Sequence, residues 1–240
     1  MLTIGSVCSG IGGLELGLEA AGLGPTKWQI EIDPYARAVL AKHWPDAVRH
    51  EDLRHVQPEQ LSPVDIICGG TPCQDLSQAG QRAGIEGSKS SLWLEQLRIV
   101  AALRPYFVVW ENVAGSIRGG LGRVVSDLRE LDYEVVGARL SAADTGGPHE
   151  RERVFVVAYA DRQGQPQQGG AISEVRRRPF HGDKPWPLQP WPAEPAVPRV
   201  AHGVPHRTQR DRALGNACTP PQAEVVGWLI RDIADGRATT

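Results

Sequence analysis

Short apolar runs alternate with segments of helical periodicity over most of the chain. Runs rich in β-branched and aromatic residues predict buried strands at residues 2–8, 27–32 and 105–110, and in a run that ends at Cys68. Helical spacing of apolar residues follows each strand: Leu14, Leu18 and Ala21; residues 34–43; Leu92, Trp93, Leu97, Val100 and Leu103; Leu121, Val124, Val125, Leu128 and Leu131. This alternation predicts an α/β fold with a doubly wound, mostly parallel, Rossmann-like sheet.

The pattern changes toward the C-terminus. Residues 133–141 and 153–158 predict an antiparallel pair that closes the sheet. Residues 161–212 lose all periodicity and hold nine of the 19 prolines. A last helix then has one apolar face, formed by Val226, Leu229, Ile230 and Ile233. We therefore predict a main domain of residues 1–160 plus 213–240, with a small irregular insert at residues 161–212.

Composition adds a local charge asymmetry. The 240 residues are 41% hydrophobic and 22% charged, as in ordinary globular proteins. The net charge of −2 argues weakly against nucleic acid, but residues 161–212 hold nine Lys and Arg against five Asp and Glu. The run Arg176, Arg177 and Arg178, with Trp186 and Trp191, suits contacts with phosphates and bases. A solvated loop or a disordered linker is the competing interpretation.

Cysteine usage predicts neither a metal site nor a disulfide framework. Cys8, Cys68, Cys73 and Cys218 show no paired spacing and no accompanying histidine cluster. A reducing cytoplasm suits this pattern. No basic leader precedes the first apolar run, and no stretch approaches the roughly 18 apolar residues of a membrane span. We expect a cytoplasmic protein without a membrane partner.

A glycine turn follows the first predicted strand. Its residues Ser9, Gly10, Ile11, Gly12 and Gly13 let a ligand approach the backbone and the first N–H groups of the next helix. Glu31 ends the second strand about 20 residues later, where nucleotide-binding units place the acid for the ribose hydroxyls. Close packing of strand and helix would also explain the glycines. Asp52 follows as a candidate contact to an adenine amino group, or as a simple turn residue.

A cysteine is placed just beyond a predicted strand. Gly69 and Gly70 end the strand, and Cys73 is followed by polar residues rather than core residues. The carboxyl ends of strands are where α/β enzymes place their chemistry, so Cys73 is a candidate nucleophile. A lone cysteine is more often inert and buried. Residues 73–91 form a long predicted loop, and loops of that length are usually functional.

Polar groups also end the strand at residues 105–110. Glu111 and Asn112 follow it, at the sheet edge where Cys73 is expected, so Glu111 could act as a general acid. Strand alternation would place Arg151 and Arg153 on one face, where they could bind an anion. A helix cap for Glu111, and a surface ladder of the arginines with Glu150 and Glu152, are the alternatives.

Together these motifs resemble the DNA (cytosine-5)-methyltransferase family, and the resemblance covers nearly the whole chain, which has the proportions of a small phage or prophage member. Seven short motifs in this order carry it: Ser9 to Gly13, Glu31, Asp52, Pro72-Cys73-Gln74, Glu111-Asn112-Val113, Arg151-Glu152-Arg153 and Leu214-Gly215-Asn216.

The resemblance implies the following chemistry. The Cys73 thiolate adds to C6 of a flipped-out cytosine, and Glu111 supplies a proton at N3. Arg153, with Arg151, orients Glu111 and the base, while Asn112 helps to hold Pro72. Loss of the C5 proton and elimination of Cys73 then release 5-methylcytosine.

The resemblance also implies an S-adenosylmethionine-dependent methyltransferase fold and its ligands. Expected cofactor contacts are Ser9, Gly10, Ile11, Gly12, Gly13, Glu31, Ile32, Asp52, Leu53, Gly70, Leu92, Asn216 and Ala217. Residues 161–212 become the target-recognition region, which is short for the family. Expected DNA contacts are Gln74, Ser77, Arg176, Arg177, Arg178, Arg199, Arg207 and Arg210. We expect a monomer that acts on duplex DNA without a metal; whether a cognate restriction endonuclease exists stays open.

The sequence departs from the family pattern at Cys8, Thr71, Leu76 and His149, and none of these changes removes a catalytic group. Three alternatives remain. A tRNA cytosine-5 methyltransferase of the same fold would carry a Cys-Phe-Thr tripeptide, which this chain lacks. A silent DNA-binding module would leave Cys73, Glu111 and Arg153 unexplained. A dinucleotide-dependent oxidoreductase would give Cys73 and the insert no role.

Overall fold

A seven-stranded sheet forms the centre of the protein. The computed structural model describes residues 1–71, 92–160 and 207–236. The strand order is β3-β2-β1-β4-β5-β7-β6. The strands are β1 (Ile4–Val7), β2 (Thr26–Ile30), β3 (Val48–His50), β4 (Ile66–Gly69), β5 (Phe107–Val113), β6 (Tyr133–Leu140) and β7 (Arg153–Ala160).

Five neighbouring strands are parallel, and beyond them β7 runs in the opposite direction while the edge strand β6 runs in the same direction as the first five. Parallel pairing joins β1 to β2 and β4, β2 to β3, and β4 to β5. β7 is antiparallel to both β5 and β6. The predicted mostly parallel α/β sheet and the predicted antiparallel pair are confirmed.

Helices cover both faces of the sheet. They are α1 (Gly13–Ala20), α2 (Pro34–His43), α3 (Leu92–Leu103), α4 (Ser116–Gly119), α5 (Leu121–Glu130), α6 (Arg207–Asn216) and α7 (Pro220–Ala234). The Asp33 side chain caps α2, accepting from the N–H groups of Tyr35 and Ala36, with Pro34 in the first turn.

Two apolar layers hold these helices to the sheet. In one layer, Ile4 of β1 packs with Leu18 of α1 and Val226 of α7. The other packs residues such as Ile67, Trp93 and Trp110 against α3 and α5. The predicted apolar face of the last helix therefore finds its partner in the first part of the chain. Helices α1 and α7 approach closely, since a Cβ at Gly17 would lie 2.2 Å from the Pro220 carbonyl oxygen.

Helix α6 departs from the sequence prediction. It begins at Arg207, inside the stretch predicted to lack regular structure, and runs across the predicted boundary after residue 212. Its residues from Thr208 to Asn216 are almost all exposed, so no apolar face revealed it. Residues 161–206 lie outside the described part of the chain.

Candidate active site at the carboxyl edge of the sheet

The carboxyl ends of four parallel strands meet at one edge of the sheet. Val7 at the end of β1 is in register with Ile30 of β2 and Gly69 of β4, and Gly69 is in register with Trp110 of β5. The glycine turn, Glu31, Gly70 and Glu111 all follow these positions. Ligands of open α/β sheets bind at this edge.

The glycine turn is tightly packed from beneath. Gly10 and Gly12 have φ values of 56° and 86°, in the left-handed region that glycine adopts without strain. A Cβ at Gly12 would lie 2.4 Å from the Trp44 ring, and one at Gly13 would lie 2.5 Å from the Cys218 carbonyl oxygen. Ser9 donates its hydroxyl to the Ser6 hydroxyl oxygen at 2.9 Å. Turn geometry and close packing thus both require glycine here.

Glu31 is held beside this turn by backbone groups. One carboxylate oxygen accepts from the Gly10 N–H at 2.7 Å, and the other accepts from the Asp33 N–H at 2.8 Å. The next side chain, Ile32, is 58% exposed. An acceptor beside an open apolar surface fits a ribose and an adenine ring, so these residues fit the nucleoside part of the predicted cofactor.

Asp52 already has a partner. Its carboxylate accepts from the Arg54 guanidinium, with Nη2 to Oδ2 at 2.6 Å, and this hydrogen bond lowers the pKa of Asp52. Leu53 is buried, and its carbonyl oxygen accepts from Arg98 at 3.2 Å. Burial raises the pKa of the Cys8 thiol to about 12, with the charges of Glu31 and Asp52 adding to the shift. Cys8 thus lies near both acids, at the end of β1.

Glu111 lies inside the sheet edge rather than beyond it. Only 7% of the residue is exposed, and a Cβ at Gly70 would lie 2.7 Å from its Oε2. Arg153 Nε forms an ion pair with Glu111 Oε1 at 2.8 Å. Burial raises the pKa of Glu111 to about 7, although Arg153 and Arg151 act in the opposite direction. The carboxyl group can therefore hold or release a proton near neutral pH.

Thr71 is bound from two sides by β5. The Asn112 side-chain amide donates to the Thr71 carbonyl oxygen at 2.7 Å, and the Trp110 indole N–H donates to the Thr71 hydroxyl at 2.9 Å. Asn112 was predicted to hold Pro72, which lies outside the described residues; its observed bond is to the carbonyl that precedes Pro72. The tryptophan contact was not predicted, because Trp110 has the character of a core residue within an apolar strand.

Arg151 and Arg153 do not share a strand face. β7 begins at Arg153, and Arg151 precedes it with a φ of 32°, so the alternation that predicted a common face does not apply. Arg151 instead donates to the carbonyl oxygens of Leu214 and Gly215, at 3.0 and 2.8 Å, and to that of Ala217. Glu152 pairs with Arg139, a residue outside the alternative ladder of Arg151 and Arg153.

The segment around Asn216 joins the two halves of the edge. It contacts Arg151 on one side, and the Cys218 backbone lies against Gly13 on the other. Gln222, which was not predicted, donates its buried amide to the Arg151 carbonyl oxygen at 3.0 Å and to that of Leu140 at 2.8 Å. Asn216 and Ala217 thus come directly before a residue that packs against the glycine turn.

Several other predicted residues can be placed. Leu92 is the first residue of α3, Arg207 is the first of α6, and Arg210 is an exposed residue of α6. Pro72, Cys73, Gln74, Ser77, Arg176, Arg177, Arg178 and Arg199 lie outside the described residues. Among residues 1–71, 92–160 and 207–236, no group of three or more His, Cys, Asp or Glu could hold a metal. Within the same ranges, no helix has the length and apolar character needed to cross a membrane.

Comparison with known proteins identifies the family. A family model described as C-5 cytosine-specific DNA methylase matches residues 2–194, which is most of the chain. The chain belongs to this family, and the family resemblance of its motifs is confirmed.

Individual relatives agree with this assignment. The Type II methyltransferase M2.BsuMI of Bacillus subtilis is 33% identical over 195 residues, covering 74% of this chain and 49% of that protein. M.Bsp6I of a Bacillus species is 33% identical over 165 residues, covering 66% of this chain and 52% of that protein. The chain spans about half the length of the curated relatives it matches. The S. pombe Dnmt2 methyltransferase structure has a TM-score of 0.63 at 20% identity, covering 79% of this chain and 59% of that one, which shows a shared fold alone.

Proposed function

We propose that this protein methylates C5 of a cytosine in duplex DNA, with S-adenosylmethionine as the methyl donor. The observation that carries the proposal is Glu111, a buried acid with a pKa of about 7, paired with Arg153 and packed against Gly70. Membership of the C-5 cytosine-specific DNA methylase family supports it.

Glu111 supplies what the cytosine ring lacks. A thiolate adds to C6 only when electron density can move to N3. A protonated carboxyl group beside N3 donates a proton to that atom as the electron density builds up on it. A pKa near 7 lets Glu111 hold that proton at neutral pH and take it back afterwards. Arg153 lies at 2.8 Å, and its charge stabilises the carboxylate after the proton has left.

Cys73 is the proposed nucleophile. It follows Thr71 by two residues, and two residues of extended chain reach at most about 7 Å. Because Asn112 holds the Thr71 carbonyl, the strand that carries Glu111 also fixes the start of the segment that carries Cys73. Addition of the thiolate to C6 forms a C–S bond and makes C5 nucleophilic; later loss of the C5 proton expels the thiolate and restores the aromatic ring.

The cofactor, when bound, supplies a methyl group on a positively charged sulfur, which C5 can attack. Glu31, fixed by the N–H groups of Gly10 and Asp33, would accept hydrogen bonds from its ribose hydroxyls. The exposed Ile32 would contact the adenine ring. Gly10 to Gly13, with the nearby Asn216 and Ala217, would surround the remaining part.

The DNA must present its cytosine outside the helix, because neither C6 nor N3 is accessible within a base-paired stack. We assign target recognition to residues 161–212, whose net positive charge suits a phosphate backbone. Arg210, exposed on α6, extends that surface on the described side. We also propose that the protein acts as a monomer in the cytoplasm of a bacterial or phage-infected cell.

Incubation of the protein with duplex DNA and methyl-labelled S-adenosylmethionine tests the proposal. We expect label on cytosine C5, and we expect Cys73→Ser to abolish it. Cys68→Ala is the matched control, because burial in β4 raises the pKa of that thiol well above its usual value and leaves it unreactive. Equal labelling by Cys73→Ser and the wild type would contradict the mechanism; label on tRNA but not on DNA would favour the RNA alternative. Sequencing of the labelled positions gives the recognition site.

A further inference from the structure

Two buried tryptophans contact each other behind the candidate active site. Trp110 of β5 and Trp93 of α3 meet edge to face, with ring centroids 6.4 Å apart and an angle of 74° between the planes. Each is at most 1% exposed. Their indole N–H groups cannot reach water, so each needs a protein acceptor.

The two acceptors lie on different elements. Trp110 donates to the Thr71 hydroxyl at 2.9 Å. Trp93 donates to the Asp127 carboxylate of α5 at 2.8 Å, and Arg123 forms an ion pair with the same side chain. Thr71 and Asp127 are 1% and 4% exposed, so the chain of contacts from Thr71 to Asp127 is buried throughout.

These contacts join Thr71 and Trp93, the residues on either side of the segment that carries Cys73. Thr71 is the last described residue before the segment of residues 72–91, and Trp93 is the second residue of α3, directly after it. Thr71 and Trp93 are thus linked through Trp110, by a hydrogen bond on one side and a ring contact on the other. Cys73, the proposed nucleophile, is two residues from Thr71.

The proposed acid is fixed by the same strand. Trp110 and Asn112 both bind Thr71, whereas Glu111 between them pairs with Arg153. Successive side chains of a strand point to opposite faces. One strand thus uses one face to hold the chain before Cys73 and the other to present Glu111.

We propose that Thr71, Trp110, Trp93 and Asp127 form a tryptophan anchor, a set of positioning residues that fixes the Cys73 thiol relative to the Glu111 carboxyl group. The inference rests on the proposed function. None of the four touches the reacting atoms; they act through the backbone of Thr71 and through α3. A displacement of about 1 Å in a reacting group can reduce a rate about 100-fold, so a distant anchor can control turnover.

The test removes single hydrogen bonds while keeping shape. Thr71→Val replaces the hydroxyl by a methyl group, and Trp110→Phe keeps an aromatic ring but loses the N–H. Each is expected to lower kcat for DNA methylation by roughly 10- to 100-fold, with the Kd values for DNA and for S-adenosylmethionine changed less than about twofold. Thr71→Ser keeps the acceptor and should restore most of the activity.

A partial reaction and a double variant make the test specific. Exchange of the cytosine C5 hydrogen with solvent requires the thiol and the acid but no methyl transfer, so its rate should fall with kcat. The combination Thr71→Val and Trp110→Phe should be no slower than either single variant, because both remove the same bond. Additive losses would overturn the anchor.

Trp28→Phe is the matched control. Trp28 is also buried, and its indole N–H donates to the Ser62 carbonyl oxygen at 2.9 Å, away from Thr71. We expect it to lower the melting temperature at least as much as Trp110→Phe while kcat stays within about twofold. An equal loss of kcat in both variants would show that the effect comes from general core packing, and it would contradict the anchor. An inactive wild type would instead refute the proposed function, and an active wild type with an unchanged Thr71→Val variant would refute the anchor alone.

Discussion

Glu31 and Glu111 stand at the same edge of one sheet, yet their surroundings differ. Glu31 follows the last residue of β2, and its two carboxylate oxygens accept from backbone N–H groups on either side. Glu111 lies within β5, between Gly70 after β4 and Arg153 of β7, and is 7% exposed.

This difference separates a binding group from an acid. Backbone N–H groups donate to both carboxylate oxygens of Glu31 and fix their orientation, which suits the proposed role of Glu31 as an acceptor for hydroxyl groups. Burial favours the protonated form, and it outweighs the guanidinium beside Glu111, because the pKa rises to about 7 in spite of Arg153. One residue type thus serves two purposes, and a strand's end or interior decides which.

The largest effect is expected at the acid. Glu111→Gln keeps the shape and the hydrogen-bonding ability of the side chain but cannot transfer a proton. We expect single-turnover methylation to slow by roughly 10² to 10⁴ fold, while the affinity for S-adenosylmethionine, measured by calorimetry, stays unchanged. A rate within tenfold of wild type would show that proton transfer by Glu111 is not needed.

A smaller effect, of the opposite kind, is expected at the binding group. Glu31→Ala removes an acceptor of charge-assisted hydrogen bonds, each contributing about 1.5–3 kcal/mol. The Kd for the cofactor should rise by about 10- to 100-fold, with kcat at saturating cofactor nearly unchanged. Glu51→Gln is the control, since that acid is exposed and forms an ion pair with Arg37. A fall in kcat with unchanged cofactor affinity would show that Glu31 acts in the reaction itself. It would contradict the distinction between Glu31 as a binding group and Glu111 as the acid.

The smallest effect concerns pH. A raised pKa means that Glu111 is protonated, and active as a donor, below about pH 7, and that the rate falls as pH rises through that value. Because Arg153 lowers this pKa, Arg153→Gln should move the alkaline limb of the single-turnover pH profile to higher pH. Glu111→Gln should remove that limb altogether. A limb that stays in place in Glu111→Gln would belong to another group.

Much of the fold was predictable because the periodicity of apolar residues is long and regular. The parallel strands and the antiparallel pair follow directly from it. Helix α6 did not, since a helix exposed on all sides has no apolar face to detect. Its end is held instead by Arg151, a contact between residues more than 60 positions apart.

The sequence supplied candidate residues for the site but not their surroundings. Position after a strand identified Glu111, yet its burial depends on Gly70 and Arg153, which only the folded sheet brings to it. The Thr71 contact with Trp110 was missed for a similar reason: an aromatic residue in an apolar strand indicates a core position, and the partner of its N–H cannot be read from spacing.

The direction of β7 has a consequence for exchanging DNA specificity between relatives. Arg153 at its start pairs with Val113 at the catalytic edge, while Ala160 at its end bonds to the Tyr106 carbonyl at the opposite edge. The chain returns to the catalytic edge where Arg151 binds Gly215. A segment transplanted between these two points must therefore span about 25 Å, the length of the eight-residue strand at about 3.3 Å per residue. Grafts that meet this length would leave the Glu111–Arg153 ion pair untouched, so the proposed recognition segment could be exchanged without rebuilding that pair.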